Sequence, residues 1–251
     1  MERKVCKSVV KVYFPGKNKS LDYFNDSFDL HIGDMVYVDG KMEAHIGRVT
    51  AVNYSFKIKL SAYKKVTALV DTRLEGRFYI TDSHMISFDP AALPREKVSL
   101  WFNAPEKEDS GFAIGEGDSK EFSLEDLKGF EIALEVAERG IEYYNENRVS
   151  YISLDKGKGF AIVQGSKNYE LEFCYDDGNI SGLICPCYCS YNCKHMLAAM
   201  LELRETMKAI NRDYREEYER SGYFAAVSKT VFLNYGLLCK NKGCISLSPL
   251  D

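Results

Sequence analysis

No run in this sequence approaches ~20 uninterrupted apolar residues, so a helical membrane span is not expected. No apolar stretch follows the charged start Met1-Glu-Arg-Lys-Val-Cys-Lys, which points away from a secretory leader and toward a cytoplasmic protein. Proline is scarce, at six residues in 251, and the composition is 45% hydrophobic and 28% charged; together these rule out collagen-like, mucin-like and fully disordered chains. An excess of positive charge is also missing: 33 basic and 37 acidic side chains leave a net −4, so nucleic acid could be met only through a local patch. Gly111, Gly115 and Gly117 are not followed by the Gly-Lys-Ser/Thr ending of a phosphate loop. With no nucleophile–base pair and no carboxylate cluster either, neither an enzyme nor a small-molecule substrate is expected.

Cysteine is present in number, at positions 6, 174, 185, 187, 189, 193, 239 and 244, and four of the eight fall within nine residues. A chain of this length needs no disulfide staples, and clustered thiols in a reducing compartment read as metal ligands. Cys239 and Cys244, like Cys6 and Cys174, read as small packing residues, because no further ligands lie near them in sequence. His31, His45 and His84 have no cysteine or serine signature beside them and read as surface or locally hydrogen-bonded histidines.

Charge and turn chemistry divide the chain. Residues 106–138 hold eleven acidic against three basic groups and open, just after Pro105, with Glu-Lys-Glu-Asp-Ser-Gly. The expected organisation is therefore a first domain at 1–104, an acidic linker at 105–122 and a second domain at 123–251. The first is expected to be β: Val9–Phe14, Asp34–Val38, Ala44–Val52, Val66–Val70 and Phe78–Ile80 are short β-branched and aromatic runs separated by Pro15-Gly16, Gly33-Asp34 and Asp39-Gly40. That many short strands suggest a small β-barrel. The stretch from Phe14-Pro-Gly through Ile32-Gly-Asp-Met-Val-Tyr-Val to Ile46-Gly-Arg-Val resembles the small β-barrel of the primosomal helicase DNA-binding domain.

The second domain is expected to open with a helix capped by Ser123, with Asp126 at N3 and Arg139-Gly140 as its stop. Strands at Val149–Leu154, Gly159–Val163 and Tyr169–Tyr175 follow, and Lys156-Gly157 and Asp177-Gly178 turn the hairpins, the second leading into Ile180–Ile184. A long helix from about Lys194 to Ser221 carries Leu197, Met200, Leu203, Met207, Ile210, Tyr214 and Tyr218 on one face and ends at Gly222. The apolar tail Phe224–Leu238 fits helix or strand.

Cys185-Pro-Cys187, then five residues, then Cys193-Lys-His195 carries the chemistry. A Cys-x-Cys pair at a hairpin end sets two sulfurs on one rim, and the next helix's first turn supplies a third sulfur and an imidazole. Three sulfurs and one nitrogen are a closed tetrahedral set for one structural Zn2+. Cys189 could replace Cys187 if the loop slid. The pattern, with Arg139-Gly-Ile-Glu-Tyr-Tyr144, Ala161-Ile-Val-Gln-Gly-Ser166 and Tyr169-Glu-Leu before it, resembles the SWIM zinc finger over about 70 residues. The resemblance implies a non-enzymatic module that binds DNA or protein. The partner is then nucleic acid (DNA sooner than RNA), or a protein of a nucleic-acid-processing or phage-related complex. On the barrel, Lys57, Lys59, Tyr63, Lys64 and Lys65 interleave charge with aromatics, as a single-strand binder does, although a solvated hairpin would show the same pattern.

Overall fold

The structure, a computed structural model, describes residues 7–56, 63–105, 121–189, 191–238 and 245–248. Among the described residues the fold is α+β, built on two sheets of five and nine strands. It divides into two compact units, residues 1–72 with 99–110, and residues 73–98 with 111–251.

In the first unit, strands β1 (Ser8–Phe14), β2 (Lys19–Asn25), β3 (Met35–Val38), β4 (Gly47–Asn53) and β5 (Val66–Val70) form an antiparallel sheet in the order β2-β1-β4-β3-β5. Alternate residues Val10, Val12 and Phe14 of β1 point inward with Val36, Val38, Val49 and Val66, which is how a period of two builds one core face. Gly47 has no side chain because a Cβ there would come within 2.3 Å of Val12 Cγ1. The ends of the sheet meet where the Phe24 N–H donates to Lys64 O at 2.9 Å, beside a parallel bridge between Phe24 and Lys65. β2 was expected only through the barrel resemblance, which places a tyrosine-bearing strand at Leu21-Asp-Tyr-Phe24; its outer residues Lys19–Asp22 are all exposed, so it carries no alternating pattern.

The second unit begins at Arg73, not at 123. Strands β6 (Gly76–Ile80) and β7 (His84–Ser87) join the nine-stranded sheet, so Phe78–Ile80 leaves the first sheet to which the sequence reading assigned it. After α1 (Arg95–Phe102), the unit continues through β8 (Phe122–Ser123), α2 (Leu134–Asn145), β9 (Val149–Asp155), β10 (Lys158–Gln164), β11 (Asn168–Asp176) and β12 (Asn179–Ile184). It ends with α3 (Lys194–Asp213), α4 (Arg215–Ser221), β13 (Tyr223–Ser228), α5 (Lys229–Leu238) and β14 (Ile245–Ser248). The sheet order is β14-β6-β7-β13-β9-β10-β11-β12-β8. The tail thus supplies a strand and then a helix.

The helix expected from Ser123 starts eleven residues later, at Leu134. Asp126 does not sit in a first helical turn: its carboxylate accepts the Lys128 N–H, Leu127 adopts φ 55°, and Ser123 pairs with Asn179 as a strand. A short polar side chain that satisfies its own backbone competes with a helix start. Gly140 lies inside α2 instead of ending it, because a Cβ there would approach Leu197 Cδ2 to 2.8 Å; its absence lets α2 and α3 pack closely. The expected long helix breaks at Tyr214, whose hydroxyl donates to Ile80 O at 2.9 Å, and Gly222 ends the second segment at φ 62°. Leu197, Met200, Leu203, Met207 and Ile210 of α3 are buried in a core with Ile152, Leu154, Ala161, Val163 and Phe224. Among the described residues, no helix is long and apolar enough to cross a membrane.

Candidate metal centre

The centre forms where β12 runs out and α3 begins. Cys185 follows the last residue of β12, Cys187 sits in the turn beyond it, Cys193 caps α3, and His195 lies in its first turn. One ligand atom from each of the four lies within 4.8 Å of every other. His195 Nδ1 is 3.8 Å from Cys185 Sγ and 3.7 Å from Cys193 Sγ. With metal–sulfur and metal–nitrogen bonds of about 2.3 and 2.0–2.1 Å, a tetrahedron has edges of about 3.5–3.8 Å, so the spacing fits a zinc-sized ion.

The backbone prepares the sulfurs for charge. The N–H groups of Cys187, Cys189 and Met196 are hydrogen-bonded to the sulfurs of Cys185, Cys187 and Cys193, the last at 3.5 Å. The Cys185 thiol, with His195 and the Met196 amide, outweighs burial and draws the Cys193 thiol down to about 4. The same contact with Cys193 and then burial push Cys185 up, while burial pushes Cys187 up to about 11. Crowding and burial thus oppose ionisation of Cys185 and Cys187 beside Cys193, and a bound dication would offset that cost.

The second wall of the centre comes from elements the sequence reading did not connect to it. The His195 ring stacks on Tyr169 of β11 with centroids 4.1 Å apart, and meets Tyr143 of α2 edge-on at 5.5 Å. Tyr169 is held in turn by Ser166 through a 2.9 Å hydroxyl contact. Between β10 and β11, Gly165 abuts the far side of the ring: a Cβ there would lie 3.0 Å from His195 Nε2 and 2.9 Å from Tyr169 Cε2. The hairpin thus fixes the ring so that Nδ1 faces the sulfurs. Gly165→Ala is expected to displace the imidazole and weaken zinc binding ~10–100-fold, the usual cost of disturbing a ligand's support. Competition with a chromophoric chelator measures this, and an unchanged affinity would show that the glycine is incidental.

Cys189 is exposed and stands outside the group of four, so its amide and not its sulfur serves the centre. Cys174 is also exposed, and Cys6, Cys239 and Cys244 lie outside the described residues. Of the first-unit residues singled out for nucleic acid, Lys57 and Lys59 lie outside the described residues. Lys65 pairs with Asp26 at 2.8 Å, Lys64 is exposed with its stem beside Gly40, and Tyr63 is half-buried. Lys65 therefore already holds a structural contact beside the sheet closure.

Of the two roles expected for His84, surface or hydrogen-bonded, it takes the second. It is fully buried on β7, with Nδ1 2.9 Å from Glu202 Oε1 on α3 and Nε2 2.9 Å from Val149 O. Ser83 and Thr206 donate to the same carboxylate oxygen at 3.0 and 3.3 Å. Burial raises the Glu202 carboxyl, but His84, Ser83 and Thr206 together outweigh it and leave it below the ordinary range.

No protein-family model matches the chain, and no solved structure matches it. It is similar to an uncharacterized protein of Methanocaldococcus jannaschii, 34% identical over an alignment of 128 positions that covers 46% of this chain and 54% of the relative, so that the chain spans about half the length of the curated relative it matches.

Proposed function

We propose that the chain is a non-enzymatic, zinc-stabilised binding module of SWIM type that acts on nucleic acid. The observation carrying this reading is the set of three sulfurs and one imidazole gathered within 4.8 Å, each sulfur supported by a backbone amide. A set of four protein ligands has no position for substrate, so the ion would serve the fold. Bound there by Cys185, Cys187, Cys193 and His195, zinc would supply charge neutralisation for three thiolates and a cross-link between β12 and α3. Clustered thiolates of this kind suit a reducing cytoplasm.

One zinc per chain is the expected result of elemental analysis on purified protein. Two would require a second site drawing on Cys6, Cys239 or Cys244. Nucleic-acid action is tested by titrating the zinc-loaded chain with single-stranded DNA at increasing salt, since contacts to phosphate must weaken as salt rises. No binding at low salt would turn the reading to a protein adaptor, which the near-neutral charge also suits.

A further inference from the structure

We infer that a single strand of nucleic acid docks on the finger itself, at a face made by Tyr188, Tyr191, Lys194, Arg148 and Lys167. The inference rests on the nucleic-acid reading above and moves its site away from the barrel loop. Tyr188 and Tyr191 are 100% and 88% exposed, the highest values of any large apolar side chain among the described residues. They stand in the loop between Cys187 and Cys193, which carries no charged residue. Rings left wholly in water contribute nothing to the fold, yet the metal ligands on either side tether the loop that presents them.

Cations gather around the rings that flank His195, two residues beyond the end of that loop. Lys194 Nζ lies 4.5 Å and Arg148 Cζ 4.8 Å from the centroid of Tyr143, and Lys167 Nζ lies 5.4 Å from the centroid of Tyr169. Tyr143 and Tyr169 are the two rings that flank His195, so three cations distant in sequence share one neighbourhood. Arg148 pairs with Glu146 at 2.6 Å, whereas Lys167 and Lys194 have no carboxylate partner among the described residues. Bare rings beside unpaired ammonium groups are the means by which proteins hold unpaired bases and their phosphates. A duplex offers no free base face to Tyr188 or Tyr191, and an acidic peptide would use the cations without needing the rings. Zinc on three thiolates leaves the core one charge negative, so the cationic excess is small and stacking supplies much of the affinity.

The test uses the zinc-loaded full chain and a fluorescently labelled mixed-sequence single-stranded DNA, with zinc content checked for every variant. The parent is expected to bind with a slope of log affinity against log salt near about −2, as three phosphate contacts on a single strand give. Tyr188→Ala and Tyr191→Ala should each weaken binding ~5–100-fold with the slope unchanged. The pair Lys167→Ala and Lys194→Ala should flatten the slope by about 1 or more, while Lys64→Ala on the barrel leaves affinity and slope as they were. Tyrosine variants that bind like the parent, with Lys64→Ala binding poorly, would overturn this site but keep the nucleic-acid reading. A parent that fails to bind DNA, or that prefers polyglutamate to the strand, would overturn both.

Discussion

Cys187→Ser is expected to leave the protein without zinc and to unfold the junction between β12 and α3, whereas Cys189→Ser keeps both metal and fold. The two cysteines are separated by Tyr188 alone, but only Cys187 shares the group of four ligand atoms. Binding at structural zinc sites supplies ~10–16 kcal/mol in small finger peptides, and that binding energy is folding energy. A domain has only ~5–15 kcal/mol in total, so losing even ~4 kcal/mol would lower the midpoint by about 8–16 °C for a unit of this size. Metal analysis and thermal melts of the two variants decide the matter. Zinc retained by Cys187→Ser and lost by Cys189→Ser would mean that the loop is set one step further along.

Glu202→Ala is the second change with a large expected effect, about 3–5 kcal/mol of stability lost. His84 and Glu202 are 0% and 2% exposed, and removing one partner strands the other in the core. The two ring nitrogens of His84 lie 2.9 Å from Val149 O and from Glu202 Oε1, so each side of the pair depends on the other. Replacing both by apolar residues, as in His84→Leu with Glu202→Met, should cost less than the single change, because no charge then remains buried. The pH dependence has a definite sign. The folded-state carboxyl lies below its ordinary value, so its stabilisation is complete above about pH 4.5 and is lost as pH falls through the lower folded value. Denaturant melts at pH 7, 5, 4 and 3 measure this, and a Glu202→Ala midpoint equal to the parent's would show the pair to be neutral.

The parts legible in the sequence were those governed by local chemistry. Lys156-Gly157 and Asp177-Gly178 both adopt left-handed turns, with φ 47° and 84°, then 41° and 86°, as hairpin connections require. The ligands Cys185, Cys187, Cys193 and His195 span only eleven residues, so one hairpin end and one helix start suffice to bring them together. Long-range determinants were hidden. His84 finds its carboxylate 118 residues along the chain, and Phe78 is claimed by a sheet whose other strands come mostly after residue 149. Gly140 looked like a helix stop because nothing nearby reveals Leu197 pressing on it. Ser123 and Asp126 carried the pattern of a cap, but their side chains serve a turn and a two-residue strand. Tyr143 and Tyr169 belonged to the stretches that carry the zinc-finger resemblance, but only the tertiary arrangement sets them on either side of His195.

The position of β13 has a consequence for the order in which the chain can fold. It sits between β7 and β9, pairing Ala225 with both Ser87 and Ser153. The meander β9 to β12 and the start of α3 are close in sequence and can assemble as soon as they are made. β6 and β7, synthesised more than a hundred residues before their neighbour, cannot join until Tyr223–Ser228 has emerged and been threaded in. Until then two strand edges stand open, at β7 and β9, on a nascent chain whose apolar face is already exposed. The entry of β13 thus closes the middle of the sheet after the strands on either side of it have been made, and the interval before it is when the chain is most exposed to mispairing with another copy of itself.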